Sequence, residues 1–377
     1  MTTSIWEKQT FFAPQDVIIA GSGFSGLWTA FYLARKNKKL KITVIDKGVI
    51  PTGASTRNAG FACFGSLTEL LADEQLMGTD KMLELVEMRY NGLQLIGKNF
   101  KKTDIDYEVN GGYELFTKKE NHLAADLHEQ VNYMNELLNP VLKNKKTFKI
   151  IGKQKNHFGF AGITHIIQNK SEGQLHPGKL AQSLLKFLLK NNVQVLNGLE
   201  VTSFEKQNGR IHIHTDKEID LAATHFVICN NGMTKNLVPG ISTKPARGQV
   251  LVTSEMEDLK WKGTFHYDEG FYYFRNLGKR VLLGGARNKA FDEEETFSLD
   301  TSPLIQNELE NFLKEVIIPG KKFTIDHRWS GTMGMGSSKQ PDIKQLEENI
   351  FCAINLGGIG VAMAPLTGKK MAAMISA

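Results

Sequence analysis

The segment between residues 16 and 46 constrains the fold of this chain more than any other part of the sequence. An apolar run, residues 16–20, has the length of a buried strand and ends at a glycine-rich segment, Gly21-Ser22-Gly23-Phe24-Ser25-Gly26. Residues 27–36 then carry apolar side chains at helical spacing, and residues 41–45 form a second apolar run that ends at Asp46. This order predicts a strand–turn–helix–strand unit.

The three glycines of this G-x-G-x-x-G motif have separate physical roles. Gly21 permits a tight turn, Gly23 lets a pyrophosphate approach the backbone, and Gly26 lets the helix pack closely on the strand. The free N–H groups and the positive end of the helix then favour a diphosphate. The alternative is a glycine-rich turn without a ligand. We expect a dinucleotide site that includes Gly21, Ser22, Gly23, Phe24, Ser25 and Gly26.

Asp46 lies where such a unit places its ribose-binding acid. It is 20 residues beyond Gly26, at the end of the second strand, from which a carboxylate can accept hydrogen bonds from the adenosine ribose. A carboxylate there would repel a 2′-phosphate, which argues against NADP. Asp46 and the adjacent Lys47 are therefore further expected cofactor contacts.

Length, charge and cysteine content restrict the class of protein. At 377 residues the chain exceeds the ~250–300 residues at which single cores stop growing, so we expect one large or two interleaved domains. The net charge of +6 is small and the basic residues are dispersed, which argues against a nucleic-acid partner. The three cysteines have no metal-ligand spacing, so we expect no metal site.

The sequence also predicts a location. It contains no run of ~18 apolar residues that could span a membrane, and no signal peptide is recognisable at its start. Cysteines Cys229 and Cys352 lie in apolar, strand-like runs typical of buried thiols, which suits a reducing compartment. We therefore expect no membrane span and a cytoplasmic protein.

The pattern of elements divides the chain into two kinds of segment. The nucleotide-binding fold occupies residues 14–100 and resumes at 176–243 and 327–377, where apolar strands alternate with helices and glycine-rich turns. Residues 101–175 and 244–326 are rich in short strands, with an exposed helix expected at 118–138, and form the substrate domain. Asn231 and Gly232 follow an apolar strand and are expected at a second cofactor-contacting edge.

Four separated motifs, taken together, resemble one family. They are the glycine motif with Asp46, the loop Gly53-Ala54-Ser55-x-Arg57-Asn58-Ala59-Gly60, the segment His327-Arg328-Trp329-Ser330-Gly331, and Asn355-Leu356-Gly357-Gly358-Ile359-Gly360-Val361-Ala362. In this order they resemble the D-amino-acid oxidase/glycine oxidase (DAO) superfamily of FAD enzymes. Within it, the chain is most similar to the γ-glutamylputrescine oxidase-like branch.

This resemblance implies an α/β fold in which a glutathione-reductase-type, FAD-binding Rossmann domain is interleaved with an antiparallel-sheet substrate domain. It implies removal of a hydride from the carbon next to an amine nitrogen, giving an imine that hydrolyses, with oxygen or another acceptor reoxidising the flavin. Val201 would contact the adenine, and the glycine-rich turn at 357–361 would lie near the flavin pyrimidine. The further cofactor contacts it implies are Gly53, Ala54, Ser55, Arg57, Asn58, Ala59, Gly60, Val201, Gly331, Met333, Gly357, Gly358, Ile359, Gly360 and Val361.

Two departures from the family pattern bear on the chemistry. Relatives that act on plain amino acids hold the carboxylate with an Arg just after the W-x-G segment, where this chain has Thr332-Met333-Gly334. We therefore expect a small-molecule amine or N-substituted amino acid as substrate. The segment also lacks the Cys that attaches flavin in sarcosine-oxidase relatives, so we expect non-covalent FAD.

Candidate catalytic residues come from the strand expected to roof the site. Tyr272 and Tyr273 are adjacent, so they face opposite sides of the sheet and at most one can face the flavin. Arg287 is the third candidate. Three alternatives stay open: a glycine or D-amino-acid oxidase in which Arg247, Arg275 or Arg287 binds the carboxylate, a flavin-binding protein without turnover, and an NAD dehydrogenase.

Overall fold

The computed structural model describes residues 2–120, 126–152 and 157–375 of the chain. In chain order its strands are β1 (Gln15–Ala20), β2 (Ile42–Asp46), β3 (Phe61–Ala62), β4 (Gly112–Thr117), β5 (Phe148–Ile150), β6 (Ile163–Asn169), β7 (Gly173–Gln174), β8 (Gln194–Asn197), β9 (Val201–Gln207), β10 (Arg210–Thr215), β11 (Leu221–Ile228), β12 (Lys244–Thr253), β13 (Thr264–Tyr267), β14 (Tyr272–Leu277), β15 (Arg280–Gly285), β16 (Ile325–Met335), β17 (Asp342–Glu347) and β18 (Ile350–Ile354). Its α-helices are α1 (Ile5–Gln9), α2 (Phe24–Lys36), α3 (Ala54–Arg57), α4 (Leu67–Met77), α5 (Thr79–Asn99), α6 (Leu127–Leu142), α7 (Pro177–Lys190), α8 (Thr234–Leu237), α9 (Pro303–Phe312) and α10 (Gly360–Ile375).

The first sheet is the nucleotide-binding half of the fold. Strands β8, β2, β1, β11 and β18 are parallel and neighbour one another in that order, and β17 adds an antiparallel edge. Strands β1, β2 and β18 are apolar almost throughout because both faces of the sheet are covered. This strand order is that of a doubly wound sheet, in which ligands bind at the carboxyl ends of the strands.

Different elements cover the two faces of this sheet. Helices α2, α5, α7 and α10 pack on one face, where a Cβ on Gly368 of α10 would lie 2.5 Å from the backbone of Trp28 in α2. The antiparallel pair β9–β10 covers the other face with Ile211 and Ile213 against Ile18 and Phe226. The parallel sheet is thus fully buried, which fixes the position of the turn between β1 and α2.

The second sheet has the strand order β16-β12-β15-β14-β13-β4-β6-β5, and its pairs are antiparallel except β13 with β4. On the outer face, Phe265 and Phe274 pack in an aromatic and aliphatic cluster under α9. On the inner face, Val250 and Leu282 pack against Ala59 of the loop after α3. The two sheets confirm the expected α/β architecture of a Rossmann-type sheet interleaved with an antiparallel sheet.

Several expected details are wrong. The boundary at residue 327 falls inside β16, which is paired with β12 in the second sheet as far as Met335, so the return to the first sheet begins after that residue. The other domain boundaries stay predictions. The helix expected at 118–138 is observed as Leu127–Leu142, and only one of its faces is exposed, because Met134 and Leu138 are buried; residues 121–125 of that prediction lie outside the described residues. Within the described residues, no helix is long and apolar enough to cross a membrane.

Candidate active site

A cleft opens where the parallel strands of the first sheet end. Its walls are formed by the ends of β1, β2, β11 and β18, the turn into α2, the start of α3, and the turn before β9. The described residues on these walls include many of the expected cofactor contacts: Gly21, Gly23, Phe24, Ser25, Asp46, Lys47, Gly53, Ala54, Ser55, Val201, Asn231 and Gly232. The cleft therefore lies at the edge that the glycine motif predicts.

The three motif glycines differ in the space around them. Gly21 has φ +109°, and a Cβ there would lie 2.6 Å from the carbonyl oxygen of Cys229. A Cβ on Gly26 would overlap the carbonyl oxygen of Gly21, so this position requires glycine for close packing. At Gly23 the nearest described atom would be Ser55 Oγ, at 3.1 Å. Gly21 and Gly26 are needed by the fold, whereas Gly23 leaves room on the cleft wall for a ligand.

The N-terminus of α2 is suited to an anion. Gly23 is its N-cap, so the N-cap position itself supplies no side-chain acceptor. The N–H of Phe24 donates to Ser55 Oγ at 2.8 Å, which joins the helix to the loop before α3. Uncapped N–H groups at a helix N-terminus bind phosphate readily.

The carboxylate of Asp46 is held in a fixed orientation at the end of β2. Its Oδ2 accepts from the backbone N–H of Ser22 at 2.7 Å and from Ser22 Oγ at 2.8 Å. Its Oδ1 accepts from the N–H of Gly48 at 2.8 Å. Carboxylate oxygens have further lone pairs beyond these three hydrogen bonds. Asp46 can therefore still accept a hydrogen bond from a ribose hydroxyl.

One polar atom on the cleft wall has no partner among the described residues. Thr332 lies on the cleft wall, and its buried Oγ1 has no hydrogen-bond partner among the described residues. Buried hydroxyl groups are normally hydrogen-bonded, so one left open on a cleft wall indicates a ligand atom there. Together with the space at Gly23 and the oriented Asp46, it shows that the residues present fit an FAD molecule.

The remaining expected cofactor residues are described but lie off this wall: Ser22, Gly26, Arg57, Asn58, Ala59, Gly60, Gly331, Met333, Gly357, Gly358, Ile359, Gly360 and Val361. Arg57 donates from Nη1 to the carbonyl oxygen of Ser330 at 2.9 Å, so it ties two segments together rather than facing the α2 N-terminus. Asn58 stabilises the turn that follows it, because its Oδ1 accepts a hydrogen bond from the backbone N–H of Gly60 at 2.8 Å. The cofactor roles of these residues stay predictions.

Sequence reasoning missed other residues of the cleft wall. Leu199, Glu200, Asn230 and Leu356 follow or precede strand ends, a position that could have indicated them. Phe297 and Leu299 come from the segment between β15 and α9, and no motif marks them; one edge of the Phe297 ring lies near Gly232.

The two candidate tyrosines lie on opposite faces of the second sheet. Tyr272 is on the outer face, where its ring packs 4.9 Å from that of Phe312 and its hydroxyl lies 3.4 Å from a carboxylate oxygen of Glu308. Tyr273 is on the inner face, with its ring 5.8 Å from that of Phe61. A Cβ on Gly284 would lie 2.5 Å from the Tyr273 ring, so that glycine lets the ring lie flat over β15. Burial raises the pKa of Tyr273 to about 12, so its hydroxyl remains a hydrogen-bond donor.

The three candidate arginines have different partners. Arg247 is on the outer face and forms a two-pronged pair with buried Glu294, at 2.7 and 2.8 Å. Arg275 is on the inner face and donates from Nε to the carbonyl oxygen of Ala59 at 2.6 Å. Arg287 is half-buried and stacks over the ring of Phe291 at 4.7 Å, and its charge offsets part of the rise that burial causes in the pKa of Tyr273.

His266 was not predicted and lies beside Tyr273. The two residues are cross-strand partners on the inner face, and the His266 ring meets Phe61 edge-on at 5.1 Å. Its Nε2 is buried and has no hydrogen-bond partner among the described residues. Burial lowers its pKa to about 4, so the ring is neutral at pH 7. A lone His within an apolar-looking strand gave no sequence signal for this position.

A buried carboxylate supports the segment that follows β3. Glu172 accepts from the N–H groups of Phe64 and Gly65 at 2.8 and 3.2 Å, and Arg89 donates to the Phe64 carbonyl oxygen at 3.1 Å. Burial raises the pKa of Glu172 to about 8. The adjacent thiol of Cys63 has a pKa well above its ordinary value, again because of burial, which disfavours the thiolate. No group of His, Cys, Asp or Glu in the described ranges could hold a metal ion.

Comparisons with known proteins agree with this architecture. The chain is 25% identical over 371 residues to the probable oxidoreductase OrdL of Rhizobium meliloti, covering 95% of this chain and 82% of the relative. It is 24% identical over 371 residues to gamma-glutamylputrescine oxidoreductase of Escherichia coli, covering 96% and 83%. The solved structure of L-proline dehydrogenase from P. horikoshii superposes with a TM-score of 0.77 at 18% identity, covering 96% of this chain and 93% of that one.

The family model described as DAO, FAD-dependent oxidoreductase, matches residues 16–374, and this span takes in both sheets and all of the cleft described above. The chain therefore belongs to the DAO family of FAD-dependent oxidoreductases.

Proposed function

We propose that this protein is an FAD-dependent oxidase or dehydrogenase that oxidises the CH–NH bond of an amine or an N-substituted amino acid. The observation that carries the proposal is the cleft itself, with the α2 N-terminus that begins at Gly23 on its wall and the carboxylate of Asp46 held at its edge. The relative named gamma-glutamylputrescine oxidoreductase and the structural neighbour named L-proline dehydrogenase support a nitrogen-containing substrate.

The chain supplies binding, orientation and shielding from water. When bound, FAD would supply the redox chemistry, as acceptor of a hydride from the carbon next to the substrate nitrogen, with oxygen or another acceptor taking up the electrons. The inner face of the second sheet would cover the reacting carbon: Tyr273 presents a protonated hydroxyl, and Phe61 and Leu282 exclude water. The oxidised product is an imine, which hydrolyses to a carbonyl compound and a free amine.

The state of the cysteines supports a non-covalent cofactor. Cys229 lies on the cleft wall, but burial raises its pKa to about 12, and the Cys63 pKa is raised as well. A thiol held in its protonated form is a poor nucleophile for bonding to a flavin ring. All three cysteines are unpaired, which fits a reducing compartment, and we extend the proposal to a cytoplasmic location.

A second candidate function, a glycine or D-amino-acid oxidase, rests on Arg287. This guanidinium is near Tyr273 and forms no ion pair with a carboxylate among the described residues, so the two side chains could hold a substrate carboxylate. Arg247 cannot serve, since Glu294 already occupies it. The amine substrate is preferred because no Arg follows the Trp329-Ser330-Gly331 segment, where the family resemblance implies one for plain amino acids, and because Arg287 is stacked on Phe291.

The decisive experiment is the visible spectrum of the purified protein, followed by anaerobic addition of amines and amino acids. We expect a flavin band that survives gel filtration, is released by acid denaturation, and bleaches with an amine or N-substituted amino acid. Bleaching by simple amino acids alone would select the second candidate. A flavin band that no amine or amino acid bleaches would reject catalysis and favour a binding protein.

The matched variants G23V and G240V test the cofactor site. Gly23 has ordinary backbone angles and would point a side chain towards the diphosphate position, so G23V should fold but lose FAD. Gly240 is exposed and has open space around its Cβ position, so G240V should keep FAD. Retention of the yellow colour by G23V would contradict the proposed site.

A further inference from the structure

Arg275 is a buried cation without a carboxylate partner. Its side chain is on the inner face of β14 and only 5% of the residue is exposed. It donates to two backbone carbonyl oxygens, those of Ala59 at 2.6 Å and Leu175 at 3.4 Å. Among the described residues, no carboxylate lies within ion-pairing distance of it. Burial lowers its pKa to about 10, so it is still charged at pH 7.

The acids nearest to Arg275 have other partners. Asp106 and Glu108 act on it electrostatically from beyond ion-pair distance. Asp106 accepts two hydrogen bonds from Lys179, at 2.7 and 2.8 Å, and Glu108 accepts one from Gln174 at 3.1 Å. Neither carboxylate therefore forms an ion pair with the guanidinium, although both favour its charged form.

Other buried arginines of this chain are paired. Arg247, 7% exposed, is held by Glu294, and Arg89, 2% exposed, contacts Glu69 at 3.1 Å. Buried charges in proteins are normally paired, because an isolated one is costly to remove from water. An unpaired buried guanidinium indicates that its counter-charge comes from outside the chain.

The position of Arg275 indicates where that counter-charge binds. A Cβ on Gly60 would lie 3.0 Å from Arg275 Nη2, so the guanidinium is packed against the loop after α3. The start of that loop, Gly53 to Ser55, lies on the wall of the cleft. The loop thus runs from the diphosphate end of the cleft to Arg275, with Tyr273 on the same face of the same strand.

We propose that Arg275 is the counter-charge for reduced FAD, favouring the reduced over the oxidised cofactor. The inference rests on the proposed function. A hydride carries two electrons and one proton, so its transfer oxidises the substrate to a protonated imine and leaves the flavin with one more negative charge. A nearby cation stabilises the negative charge of the reduced flavin. Before hydride transfer, the same cation has no ion-pair partner. Arg275 is a positioning charge in this role and need not touch the substrate.

The test compares the two-electron potential of FAD in the wild-type holoenzyme with that in three variants. R275Q removes the charge but can still donate hydrogen bonds, and R275K keeps the charge. The control R280Q removes an arginine at the start of β15 that forms an ion pair with Asp326. An opposite charge at short range commonly shifts an ionisation equilibrium at least tenfold. We therefore expect R275Q to lose about tenfold in its preference for reduced FAD, a potential more negative by about 30 mV. R275K and R280Q should stay within about threefold of wild type.

A second measurement, of FAD retention, tests the same inference in variants that bind the cofactor weakly. FAD retained after dilution is measured for each holoenzyme, oxidised and dithionite-reduced. R275Q should lose reduced FAD more readily than oxidised FAD. Equal loss of both forms, an unchanged R275Q potential, or an equal shift in R280Q would overturn the inference and leave Arg275 as an anchor for the loop. Those results leave the proposed function intact if an amine still bleaches the wild type. Wild-type protein that binds neither form would overturn both.

Discussion

The two faces of the second sheet are built from the same strands, but they differ in whether their buried charged side chains form ion pairs. On the outer face, Phe265 and Phe274 stack 4.8 Å apart in a dry cluster, and Arg247 is neutralised by Glu294. On the inner face, Arg275 has only backbone partners, and His266 keeps an unpartnered nitrogen. Since neighbouring residues on a strand alternate between faces, the difference comes from side chains one position apart. At these positions the outer face pairs its buried charge within the chain, whereas the inner face leaves Arg275 and His266 without a side-chain partner among the described residues.

Truncating the outer face should have the largest effect on stability. Phe274 is fully buried among Phe265, Trp261 and Phe312. Removing its ring leaves a cavity, so we expect F274A to lower the free energy of unfolding by about 3–5 kcal/mol. Urea denaturation measures this loss, and the FAD content per folded molecule should be unchanged. Loss of FAD from protein that is still folded would contradict the prediction that the outer face contributes to stability and not to cofactor binding.

The two arginines give the most direct comparison. R247M leaves Glu294 buried without its partner, whereas R275M removes a charge that had none. We expect R247M to destabilise the FAD-free protein by about 2 kcal/mol more than R275M, because a broken buried pair is costlier than a lost hydrogen bond. Chemical denaturation of both variants checks this. Equal losses would mean that Arg275 has a counter-ion within the chain.

The adjacent tyrosines separate catalysis from packing. Y273F removes a hydroxyl from the inner face and should lower kcat/KM by about tenfold, or ~1.4 kcal/mol, if that hydroxyl binds substrate. Y272F removes one from the outer face, near Glu308, and should leave kcat/KM within about twofold of wild type. Steady-state kinetics with the amine found by bleaching provides the measurement. A larger effect of Y272F would reverse the assignment of the faces.

The smallest expected effect concerns Glu172, next to the inner face. Burial raises its folded-state pKa to about 8, so the folded protein holds a proton that the unfolded chain releases near pH 4.5. Its contribution to stability is fully present below pH 4.5 and is lost as pH rises through about 8. E172Q lacks this loss, so its stability relative to wild type should improve by about 1 kcal/mol between pH 7 and 8. Urea midpoints at the two pH values test this, and a relative decline would contradict the raised pKa.

The nucleotide end of the site could be predicted from the sequence, because its chemistry is local. Gly21 to Gly26 and Asp46 lie within one strand–helix–strand unit whose spacing fixes their positions. The two tyrosines were also correctly predicted to lie on opposite faces, but the alternation rule cannot say which one faces inward.

The other end depends on contacts distant in sequence. Arg247 is paired because Glu294, 47 residues away in the sequence, lies beside it in the fold, whereas no carboxylate among the described residues pairs with Arg275. The sequence around either arginine does not reveal this difference. Phe297 and Leu299 reach the cleft from an irregular segment without a motif. The misplaced boundary at 327 has the same cause: β16 was read as part of the returning fold, although it pairs with β12.

The strand order of the first sheet also limits when the cofactor can be loaded. The cleft wall combines Gly21 from the start of the chain with Cys229 and, finally, Ala353 and Leu356. On a translating ribosome the glycine turn emerges long before the strands that complete its surroundings. A nascent chain shorter than Leu356 has no finished site, so we expect FAD to be captured only after that residue has been synthesised. Flavin supply would then affect the yield of folded protein only once β18 and the turn after it have emerged, and not while the earlier strands emerge.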